Sequence, residues 1–108
     1  MAFFLLQAAY TPEAWAKLTR QPQDREQAIR PVVERLGGRI QGFWWSFGEY
    51  DAVVIVQMPD NVSAAAFSIA ASASGSLKAA RTTPLISIEE GVGAMRMAAE
   101  AGYRPPGG

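Results

Sequence analysis

The chain has 108 residues, about half of them hydrophobic, with ten basic and ten acidic side chains and no net charge. That length makes one domain with one core, and the balanced charge gives no footprint for nucleic acid or for an anionic membrane. With neither cysteine nor histidine, disulfides, thiolate or imidazole metal ligation, and Ser-His-Asp or Cys-His catalysis are all excluded within the chain.

Ala2-Phe3-Phe4-Leu5-Leu6 opens an apolar run that ends at Tyr10 and reads as a buried strand. It is too short for a membrane span and has no basic leader before it, so the expected location is the cytoplasm. Thr11-Pro12-Glu13 then gives an N-cap, a first-turn proline and a favourable first-turn charge. This helix carries Trp15 and Leu18 and is interrupted at Pro22. A second helical segment, Asp24 to Leu36, places Ile29, Val32, Val33 and Leu36 on one stripe. Pro31 predicts a kink in it, and Gly37-Gly38 ends it. Arg20, Arg25, Arg30 and Arg35, interleaved with Asp24, Glu26 and Glu34, read as a solvated helix face.

Arg39 to Phe47, with Phe43, Trp44 and Trp45 adjacent, reads as the second strand. Gly48-Glu49 is the expected hairpin turn, and Asp51 to Met58 the third strand. Pro59-Asp60-Asn61 starts a helix whose stripe is expected to be Val62, Ala65, Ala66, Ile69, Ala70 and Ala73. A stripe so rich in alanine predicts a helix lying close to the sheet. Leu77 to Ser87 is the fourth strand, with Pro84 marking an edge or bulge. Ser87 and Glu90 form a capping-box pattern for a last helix carrying Ile88, Val92, Met95 and Ala99, which Gly102 stops. Residues 1–102 are expected to form the domain and 103–108 a mobile tail.

This order is the split βαββαβ pattern of ferredoxin-like α+β folds, with an antiparallel sheet of order 4-1-3-2 and an added terminal helix. Gly48-Glu49-Tyr50-Asp51, the Pro59-Asp60 step, the Gly37-Gly38 stop, the alanine-rich helix and the run Lys78 to Thr83 together resemble the GYD-domain family of small bacterial and archaeal proteins. The resemblance spans about residues 3 to 90. It implies a dimeric α/β-barrel assembly, akin in fold to small cofactorless oxygenases and stress-responsive barrel proteins. It assigns no catalytic residues.

The strands themselves point to self-association. Phe3 and Leu5 oppose Phe4 and Leu6 across the first strand, and Val53 and Ile55 oppose Ala52, Val54 and Val56 across the third. Helices on one side would leave a large apolar sheet face, which a soluble monomer rarely exposes. A homodimer or larger assembly is therefore expected, with the terminal helix able to shield part of that face.

The expected topology also gathers Gln7, Trp45, Tyr50, Asp51 and Lys78 at one end of the sheet. An amide, an indole, a phenol, an acid and a base beside apolar walls suit a small organic ligand. The leading expectation is a binding or accessory protein. One alternative is a cofactorless oxygenase or isomerase using Tyr50, Asp51 or Lys78 in proton transfer. Another is a structural assembly subunit, in which Asp51 bonds turn backbone and the tryptophans fill core and interface. No cofactor is expected, and no metal site: no loop has the acidic spacing of a calcium site.

Overall fold

In the computed structural model, which describes residues 1–107, the elements run β1 (Ala2–Tyr10), α1 (Pro12–Arg20), α2 (Arg25–Arg35), β2 (Arg39–Trp45), β3 (Ala52–Met58), α3 (Asn61–Ala73), β4 (Leu77–Leu85) and α4 (Ile88–Ala99). Each helix begins at a side-chain cap that satisfies an otherwise orphaned N–H. Thr11 accepts from the Ala14 N–H and Asp24 from the Gln27 N–H. Asp60 with Ser63, and Ser87 with Glu90, form reciprocal capping boxes. Helix α2 runs through Pro31 and ends at Gly37, where φ is +86°. Gly38 follows because no Cβ fits there: it would lie 2.7 Å from the Gln57 carbonyl oxygen and collide with the Met58 sulfur.

The caps make the two later helices sensitive to acid. The Ser63 backbone N–H, then its hydroxyl, hold the Asp60 carboxyl below its usual 3.8. Ser87 does the same to Glu90, below its usual 4.5. An acid depressed in the folded state contributes stability above its unfolded pKa and loses it as pH falls through the lower folded value. The first turns of α3 and α4 are therefore expected to fray on acidification, from pH 4.5 downward for Glu90 and from pH 3.8 downward for Asp60. Amide exchange at Asn61–Ser63 and Ile88–Glu90 reads this directly, and protection that stays level through that range would contradict it.

The four strands form one sheet of order β2-β3-β1-β4, in which every neighbouring pair is antiparallel. From the β4 edge the same sheet reads 4-1-3-2. Pro84 sits on the edge strand β4, opposite Phe4, where a missing N–H is tolerated. Alternation sends Phe4, Leu6, Val54, Val56 and Met58 to the helix side. There they pack with Val33, Ala64 and Phe67 into the core. The opposite face carries Phe3, Leu5, Gln7, Val53, Ile55 and Gln57, and no helix among the described residues covers it.

Three expectations about the elements need correction. The β2–β3 connection is no two-residue hairpin: β2 ends at Trp45, β3 starts at Ala52, and 46–51 form a longer loop. Gly48 provides a positive φ of +136° within that loop. The inward residues of α3 are Ala64 and Phe67, while Val62 and Ile69 are 78% and 67% exposed. The helix is apolar on both sides, so spacing alone could not choose a face, and the large Phe67 ring decides it. Helix α4 shields nothing, since none of its residues is buried. Of the expected tail, Gly108 lies outside the described residues. Among the described residues no helix is long and apolar enough to cross a membrane.

Candidate functional site

Small residues create a cleft between the sheet and the helices. Ala8 of β1 pairs with Ala52 of β3 and with Ala80 of β4, all on the helix side of the sheet. Above this row, α2 contributes Ala28 and α3 contributes Ala70 and Ala71. Side chains this short cannot bridge the two layers, and a cleft of about 280 Å³ remains. Ile29, Val32, Phe43, Val54, Phe67 and Leu77 make its walls apolar. Tyr10, Arg25, Ser74 and Ser76 supply the polar groups. The Arg25 guanidinium donates to the Gln23 side-chain oxygen at 2.8 Å and meets no carboxylate among the described residues. Apolar walls with a few convergent polar groups are the ordinary make-up of a small-molecule site.

Four aromatic rings close the neighbouring end of the sheet. Tyr10, Trp15 and Trp45 lie mutually within 5.5–5.8 Å between ring centroids, and Phe43 lies 5.4 Å from Trp45. Such tilted and edge-on contacts are favourable beyond simple burial. Tyr10 and Phe43 belong to both the cluster and the cleft wall, so the cluster stiffens one side of the cleft.

Asp51 ties this end together. Its Oδ2 accepts from the Tyr10 N–H at 2.9 Å and from the Trp15 indole N–H at 3.2 Å. Its own N–H donates to the Ala8 carbonyl, and its carbonyl accepts from the Ser46 N–H. One residue thus joins β1, α1 and the β2–β3 loop. Tyr50 is half-buried, and its carbonyl accepts from the Ser46 hydroxyl at 2.7 Å.

The five residues singled out from sequence therefore share one end of the sheet but do not converge. Trp45 and Asp51 meet through Tyr10 and Trp15. Gln7 lies on the uncovered face, in a row with Trp44, Val53 and Arg81. Lys78 is exposed beside the irregularity where β1 pairing shifts at Ala9/Tyr10. None of the five lines the cleft. Connectivity brings these strand ends together, but the side of the sheet each side chain takes depends on the register of its strand. The signal that was missed is the alanine at inward positions of adjacent strands, Ala8 and Ala52, facing an alanine-rich helix.

The family model of the GYD domain matches residues 4–95, from β1 into α4. No curated protein and no solved structure matches the chain.

Proposed function

The chain belongs to the GYD-domain family, and from its cleft we propose that this member is a homo-oligomeric binding protein for a small, partly apolar organic molecule. The observation that carries the reading is the apolar cleft under α2 and α3, with Arg25 among its lining groups. A cation next to apolar walls selects an organic anion, such as an aromatic or aliphatic carboxylate. Among the described residues no Asp or Glu lines the cleft, and the Asp51 carboxylate is already engaged by backbone and indole. Binding is thus better supported than proton-transfer catalysis.

Self-association is the second part of the proposal. The element order is ferredoxin-like, and a second copy laid on the uncovered sheet face would complete a dimeric α/β barrel. Phe3 and Trp44 on that face are 41% and 55% exposed, and Leu5, Val53 and Ile55 between them are only half-buried. Such a contiguous apolar face supports a partner subunit.

Anilinonaphthalenesulfonate, apolar and anionic, is a suitable probe. Ala70 is exposed at the cleft rim, so Ala70→Trp should fill the opening with little effect on folding. Probe affinity is expected to fall about ten-fold, equivalent to about 1.4 kcal/mol, at unchanged melting temperature. Arg25→Gln is expected to weaken binding in the same direction. Equal affinity in wild type and Ala70→Trp would place the probe elsewhere and remove the support for this cleft.

A further inference from the structure

The uncharged polar side chains of the cleft are not equivalent. The Ser74 hydroxyl is engaged within its own turn: it donates to the Ala71 carbonyl at 2.6 Å and accepts from the Ser76 N–H at 3.2 Å. Ser76 is half-buried, and its carbonyl accepts from the Thr11 N–H at 2.8 Å. Beside it Tyr10 pairs with Leu77 across the sheet and lines the same cleft. Tyr10 is only 8% exposed. Its backbone N–H donates to Asp51, but its hydroxyl bonds to no group among the described residues.

A buried tyrosine hydroxyl ordinarily finds a hydrogen-bond partner. Among the described residues no fully enclosed side-chain nitrogen or oxygen lacks one. The free Tyr10 hydroxyl therefore opens onto accessible space, and the space that Tyr10 lines is the cleft. Packing does not explain the hydroxyl. The ring itself makes the contacts to Trp15 and Trp45, at 5.5 and 5.8 Å between centroids, and phenylalanine would make them too. Those two indoles hold the ring, and the hydroxyl on its axis is fixed with it.

We infer that Tyr10 determines which organic anions the cleft accepts: the Arg25 guanidinium takes a carboxylate, and the Tyr10 hydroxyl takes a second oxygen carried on the ligand's apolar frame. Arg25 belongs to α2 and Tyr10 to β1, so they approach an occupant from the helix layer and from the sheet. A phenol both donates and accepts, so the second oxygen is a hydroxyl or a carbonyl. A pure hydrocarbon frame would cover the phenol without a partner, which is unfavourable. Sites that hydrogen-bond a ligand hydroxyl discriminate against analogues lacking it. Tyr10 has this part only if the cleft is a ligand site, as proposed above.

The test compares 2-naphthoate with its monohydroxy derivatives on the full chain. At least one derivative is expected to bind about ten-fold more tightly than 2-naphthoate, equivalent to about 1.4 kcal/mol. In Tyr10→Phe that ratio is expected to fall to about one, whereas Arg25→Gln should weaken both probes by the same factor and keep the ratio. Tyrosine labelled at the ζ carbon reports the phenol in the unmutated chain, which has three tyrosines. The Tyr10 signal is expected to move further with the favoured derivative than with 2-naphthoate. A preference that survives in Tyr10→Phe, one that collapses in Arg25→Gln, or a Tyr10 signal unmoved at saturation would overturn the assignment. Equal binding of all the probes, each weakened by Arg25→Gln, would leave water as the partner of Tyr10: the cleft would stand and the role of Tyr10 would fall. Binding of none of them would overturn both.

Discussion

Val54→Asp is expected to abolish folding, whereas Ile55→Asp, one residue further along β3, is expected to leave a folded protomer that no longer associates. Val54 is 6% exposed and packs in the core with Leu6 and Phe67. An unpaired carboxylate there costs about 3–5 kcal/mol, a large part of the stability of a domain this small. Ile55 points to the uncovered face and is half-buried in the protomer. Its carboxylate can stay hydrated in a free protomer but not under a second sheet. Circular dichroism separates folded from unfolded, and sedimentation at micromolar concentration reports association. A monomeric wild-type chain, or an Ile55→Asp variant with undiminished mass, would show that the sheet face is not an interface.

Asp51→Ala is expected to lower stability by about 3 kcal/mol, since it strips the acceptor from two N–H groups at once. Hydrogen bonds to a charged group contribute about 1.5–3 kcal/mol each, and the partners here are the Tyr10 backbone and the Trp15 indole. For a domain of this length each kcal/mol lowers the melting temperature by roughly 4–8 °C. Asp51→Asn keeps one acceptor oxygen and should lose less. Below the lowered transition, probe affinity is expected to stay near that of wild type. The opposite pattern, an unchanged melting temperature with lost affinity, would return Asp51 to the list of ligand-contacting groups.

The sequence was most legible where local chemistry decides the outcome. Caps at Thr11, Asp24, Asp60 and Ser87 mark helix starts because few other residues can satisfy the first-turn N–H groups. Alternation in Phe3–Leu6 and Ala52–Val56 assigns the two faces of β1 and β3, because the strand period is two. The family pattern adds the order of the elements. Legibility fails where local signals are degenerate. In α3 the apolar residues surround the helix, and the inward face depends on where Phe67 finds room. In the site, Gln7 and Trp45 reach the same end of the sheet from different strands, and only register shows that they emerge on opposite sides. The cleft is the hardest to foresee, since it arises from short side chains at Ala8, Ala52 and Ala71, brought together from three elements.

We propose that a small organic anion occupies the space between the sheet and helices α2 and α3. Methyl NMR on the isotope-labelled full chain during titration with anilinonaphthalenesulfonate tests it most directly. Saturable shifts are expected at Ile29, Val32 and Val54, which line the cleft, with much smaller changes at Leu5, Val53 and Ile55 on the other face. Shifts confined to that other face, or to Val92 of α4, would contradict it.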